Sequence, residues 1–157
     1  MKPLPTLVVC EDGDEYTTRF TRLLGQEVVF ERADAYAEAA RLLRAGACGI
    51  LLDLDFRRTR PVDLVDEAGA THPTLADSER RRLAEMQGIL ILRALRGAGI
   101  AAPAILFADL DEAGRADHLA RTLAPLTILP SSESLPAIAT HIRALALQHT
   151  SLSVGKP

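Results

Sequence analysis

Short apolar runs alternate with segments of helical period along most of this chain, and few architectures accept that pattern. Leu7 to Cys10, Glu27 to Phe30, Gly49 to Leu52, Ala104 to Phe107 and Leu126 to Leu129 read as strands. Such short runs, bounded by polar residues or proline, suit strands buried on both faces of a sheet. Between Asp14 and Leu24 the apolar residues Tyr16, Phe20, Leu23 and Leu24 recur at helical spacing, and Gly25 ends that helix. Asp34 is placed to cap a second helix, through Tyr36, Ala39, Ala40, Leu42 and Leu43 to Gly46. Glu112 to Leu123 and Leu135 to Leu147 supply helices around the last strand. The alternation predicts an α/β fold, a parallel sheet with helices on both faces.

The alternation stops after Asp55 for about thirty residues. Connections in compact domains usually need roughly two to six residues, so the stretch from about 57 to 85 is an insertion or a specialised loop. It opens with Arg57-Arg58-Thr59-Arg60-Pro61 and runs through a polar segment to His72-Pro73. Thr74-Leu75-Ala76-Asp77 fits a capping box, which predicts one long helix from Leu75 to Leu95 with Leu83, Met86, Leu90 and Ile91 as its apolar stripe. Gly97 and Gly99 close it. Residues 1–150 are expected to form a single domain, and 151–157 a flexible tail.

The charge balance narrows the partners. At a net charge of −3 the chain offers no overall attraction to nucleic acid or to an acidic membrane surface. Lysine occurs only at Lys2 and Lys156; every other basic residue except histidine is arginine. Cys10 and Cys48 lack metal or redox spacing and read as core thiols, and His72, His118, His141 and His149 show no ligand spacing. Arg80-Arg81-Arg82 shares its helix with Glu79 and Glu85 and reads as a solvated face. With no signal-peptide pattern and no apolar run of spanning length, a cytoplasmic protein is expected.

Acids stand where strands end. Glu11-Asp12 follows the first strand, and Asp53-Leu54-Asp55 follows the third. In open α/β sheets ligands gather beyond the carboxyl ends of the strands, so these acids are expected to share one pocket. Three carboxylates there would repel one another, which calls for a cation or a raised pKa. Mg²⁺ suits such a set, being hard and taking one or two carboxylates with water and phosphate oxygens.

This order of elements, with paired acids after the first strand and an aspartate after the third, resembles the receiver domain of two-component response regulators. The resemblance covers residues 5 to 148 apart from the insertion. It implies a flavodoxin-like five-stranded sheet in the order 2-1-3-4-5. It also implies a phosphoacceptor at Asp53, and Mg²⁺ held by Glu11, Asp12, Asp53 and the backbone carbonyl of Asp55. A histidine kinase or a downstream signalling protein is the partner it implies, and a homodimer is compatible with it.

Three parts of the family pattern are missing. Ala108 stands where the fourth strand normally ends in Ser or Thr, and no lysine occurs in Thr127-Ile128-Leu129-Pro130-Ser131-Ser132, where a lysine and proline belong. The fifth strand carries no aromatic switch residue. The expectation is therefore an atypical, degenerate receiver, not an enzyme, acting by protein contact with weak or absent phosphorylation-driven switching. An arginine of the insertion, Arg57, Arg58 or Arg60, could pair with Asp53 or a phosphoryl oxygen in compensation. The alternative is a phosphorylatable receiver using Asp53. A second alternative takes Asp53-Leu54-Asp55 as the nucleophile and general acid of a haloacid-dehalogenase-like phosphatase, although Arg57 departs from that motif.

Overall fold

The computed structural model describes residues 2–154. Strands β1 (Thr6–Cys10), β2 (Val29–Ala33), β3 (Gly49–Asp53), β4 (Ala104–Phe107) and β5 (Leu126–Leu129) form a parallel sheet in the order β2-β1-β3-β4-β5. The helices are α1 (Glu15–Leu24), α2 (Tyr36–Arg44), α3 (Asp77–Glu85), α4 (Gln87–Gly97), α5 (Ala113–Thr122) and α6 (Leu135–Val154).

Alternate side chains of each strand point to opposite faces, and both faces are covered. Val8, Cys10, Ile50, Leu52, Ala104 and Leu106 pack with Leu43 of α2, Leu83 of α3, Ile91 of α4 and Leu119 of α5. Leu7, Val9, Leu51, Ile105, Phe107 and Leu129 pack with Phe20 of α1 and Ile142 of α6. Each fully buried Leu, Ile or Phe in these layers contributes on the order of 2 kcal/mol. The parallel sheet with helices on both faces is as the alternation predicts, and the order is the flavodoxin-like one that the resemblance implies. Both cysteines are buried, and burial raises the Cys10 and Cys48 thiol pKa values.

Several boundaries differ from the sequence reading, each for a local reason. β2 starts at Val29 because Glu27 and Val28 still donate to Leu24 O, which keeps the chain wound on the end of α1. Asp34 does not cap α2: Ala35 is its N-cap, with no side-chain hydrogen bond. The same holds for the proposed capping box, since α3 starts at Asp77 behind Ala76 without a side-chain cap. α6 extends past Leu147 to Val154, so the expected tail is helical at 151–154, while 155–157 lie outside the described residues.

The single helix expected from Leu75 to Leu95 is two. Phe56 N–H donates to Ala84 O at 2.8 Å, and Gly88 N–H donates to Leu54 O at 3.0 Å. An unbroken helix would have joined that carbonyl and that N–H to each other. The chain leaving β3 intercepts both, and the helix breaks at Met86, whose φ is −116°. Gly88 permits the approach, because a Cβ there would lie 2.0 Å from Asp53 O.

The insertion itself is ordered around buried groups. Pro61–Asp63 form a 3₁₀ turn, Leu64 and Val65 are buried, and Val65 pairs with Thr71 across a short antiparallel bridge. Gln87, only 1% exposed, accepts Val65 N–H at 2.9 Å and donates to Val65 O at 3.0 Å. A buried amide thus acts as a strand partner for the insertion.

Candidate functional site

The strand register brings the expected residues to one edge of the sheet. Cys10 lies beside Leu52, Asp53 beside Phe107, and Phe107 beside Leu129. Glu11, Asp12, Asp53, Ala108 and Pro130 therefore follow or end neighbouring strands at their carboxyl side. The electrostatics carry the mark of this crowding. Burial first, and then the charges of Asp12, Glu11 and Asp55, raise the Asp53 carboxyl to about 6, against a lowering by its bond from Leu54 N–H. Asp53 Oδ1 accepts that bond at 2.8 Å.

The carboxylates at the end of β1 are already engaged. Glu11, 1% exposed, turns toward α1: Oε1 accepts Tyr16 N–H at 3.0 Å, and Oε2 accepts Thr17 N–H and Thr17 Oγ1–H, both at 2.7 Å. It satisfies the free donors and the positive end of that helix. Asp12 is held by Arg58, whose backbone N–H meets Oδ2 at 2.9 Å while Nη2 meets Oδ1 at 3.0 Å. The same guanidinium grips Glu15, at 2.7 Å from Nη1 and 3.0 Å from Nη2, and holds the Glu15 carboxyl down at about 2.

Arg57 and Arg60 are engaged elsewhere too. Arg57 pairs with Asp55 at 2.7 Å, and Arg60 with Asp63 at 2.9 Å. Asp55 Oδ1 and Thr59 Oγ1 are buried without a hydrogen-bond partner.

A Mg²⁺ ion does not fit the side chains as they are arranged. Both oxygens of Glu11 face α1, and both oxygens of Asp12 face Arg58. Among the described residues, no group of three or more His, Cys, Asp or Glu side chains is placed to hold a metal ion.

The opposite side of the site differs in kind. Ala108 is buried, and its N–H donates to Leu129 O at 2.9 Å; its methyl group can donate nothing to a phosphoryl oxygen. Beyond β5, Asp109 accepts from Ser131, by the backbone N–H at 3.1 Å and by the hydroxyl. Tyr16 stacks on Phe107 with 5.0 Å between ring centroids, closing the α1 side of the site.

Sequence reasoning named Glu11, Asp12, Asp53, Asp55, Arg58 and Ala108, and it missed Glu15, Gly13 and Gln87. Glu15 is an acid in the first turn of α1, a common placement that carries no signal of its own. Gln87 had no signal, because nothing local distinguishes a buried amide on a helix from an exposed one.

No family model matches this sequence, and no curated protein sequence matches it. Solved structures do resemble it. The receiver domain of the Francisella response regulator 1452 is 16% identical, with 92% of this chain and 98% of that one covered at a TM-score of 0.62. A signal receiver domain from Vibrio parahaemolyticus is 13% identical, with 99% of each chain covered at 0.67. The BeF3-activated receiver domain of RstA from Klebsiella pneumoniae is 16% identical, with 90% of this chain and 97% of that one covered at 0.59. The chain has the receiver-domain fold. Among the described residues, no helix is long and apolar enough to cross a membrane.

Proposed function

We propose that this chain, which has the fold of a response-regulator receiver domain, acts in cytoplasmic signal transduction as an atypical receiver. Its output is contact with another protein, a histidine kinase or a downstream signalling protein, and phosphorylation shifts its conformation weakly or not at all. Ala108 carries the reading. A buried methyl stands at the end of β4, where a hydroxyl would have to follow a phosphoryl group on Asp53. Each charge-assisted hydrogen bond to such a group is worth about 1.5–3 kcal/mol, so losing the hydroxyl and the lysine together removes most of the bias a switch needs. The insertion offers a contact surface, because Arg57, Arg80 and Arg81 with Ala84 and Glu85 line a cavity of about 260 Å³ suited to an acidic segment.

The second reading is a phosphorylatable receiver. What favours it is Asp53 itself, partly exposed at the end of β3 and raised to about 6, so that it is mostly ionised at neutral pH and able to attack. The phosphatase reading has less support, since Arg57 engages Asp55, its general acid. Incubation with Mg²⁺ and acetyl phosphate, followed by intact mass, separates the first two. The proposal expects no adduct, or an adduct without a structural shift; stoichiometric addition that Asp53→Asn abolishes, together with a clear structural shift, would establish the second reading.

A further inference from the structure

The acidic end of β1 carries a cation of its own. Arg58, 46 residues downstream of Asp12, meets both Asp12 oxygens and both Glu15 oxygens. The Asp12 side chain is left 5% exposed, although that of Arg58 is 58% exposed. The turn between the two acids is shaped around this fork. A Cβ on Gly13 would lie 2.4 Å from Arg58 Nη2, and Arg32 Nε clamps the turn by donating to Gly13 O. A guanidinium matches two carboxylates with fixed donors and keeps its charge at any physiological pH. Being tethered, it competes at a high effective concentration, whereas a divalent ion must first shed water.

We propose that Arg58 is the permanent counter-ion of Asp12 and Glu15 at the acidic end of β1, standing in the place of a dissociable divalent cation and excluding it. The contact also fastens the start of the insertion to the loop after β1. This holds whatever partner the protein has and whether or not Asp53 ever carries a phosphoryl group.

The test uses the full chain and no phosphoryl donor. Wild type and Arg58→Ala are titrated with Mg²⁺ and with Mn²⁺, following melting temperature, ion affinity and amide exchange. Because Arg58 is mostly exposed, the variant is expected to fold, and Arg58→Lys provides a second variant that keeps the charge without the fork. In Arg58→Ala, amide protection at 56–60 falls, and Mn²⁺ binds roughly tenfold or more tightly than to the wild type. Mg²⁺ then raises the melting temperature of Arg58→Ala but not of the wild type, with Arg58→Lys in between. Equal ion effects on wild type and Arg58→Ala, including none on either, would overturn the proposal, as would unchanged protection at 56–60 in Arg58→Ala.

Discussion

Asp53 ends β3 with its carboxyl raised from 3.8 to about 6, by burial first and by Asp12, Glu11 and Asp55 after it. The sign of the stability effect follows. At pH below 3.8 both folded and unfolded chains hold the proton, and as pH rises toward about 6 the unfolded chain releases it first, so the folded state loses ground across that window. Asp53→Asn keeps an acceptor for Leu54 N–H and removes the charge. It is expected to stabilise the protein near neutral pH by on the order of 1–2 kcal/mol, after allowance for solvent screening. The gain should shrink as pH falls and vanish well below pH 3.8, and urea midpoints near neutral pH and at about pH 3 measure it. At this scale the sequence showed which acids would stand near one another, because each sits at a strand end, and their crowding called for a cation or a raised pKa; burial, the larger cause of the shift, was not legible. It did not show where their oxygens point. Glu11 reads as a metal ligand by position, yet its path down to α1 depends on the angle at which that helix starts.

At the scale of elements, the least legible feature is the break between α3 and α4. Leu83, Met86, Leu90 and Ile91 carry one helical stripe through it, and local propensity sees no reason to stop. The reason is non-local, as Leu54 and Phe56 take the hydrogen bonds of Gly88 and Ala84. Gly88→Ala forces a Cβ against Asp53 O and is expected to lower stability by about 2–3 kcal/mol, read from its melting temperature. Gln87→Leu removes the partner of both Val65 backbone groups, at a cost of about 1–3 kcal/mol per buried group left unpaired. Amide exchange at Val65 should rise with it while that of β1 and β3 changes little. A melting temperature equal to wild type for either variant would contradict this view of how the insertion is seated.

The whole molecule joins a receiver fold to a site in which β4 runs into Ala108. Strand positions and the two faces of the core were legible because strand and helix periods repeat along the chain, whereas the sheet order came only from the resemblance to receiver domains. The insertion was legible only as an interruption, since its order comes from Leu64, Val65 and Gln87 rather than from its own pattern. On the site's far side, Ala108 offers no hydroxyl, and Asp109 is turned to Ser131. Under the proposed reading, Ala108→Thr alone creates no response to phosphoryl mimics, because Pro130-Ser131-Ser132 directly after β5 contain no lysine. The most direct test is the backbone amide spectrum of the wild type with and without Mg²⁺ and beryllofluoride at saturating concentration. Shifts that are absent, or confined to residues beside Asp53, are the expected result; concerted shifts through β4, α5 and β5 would contradict it.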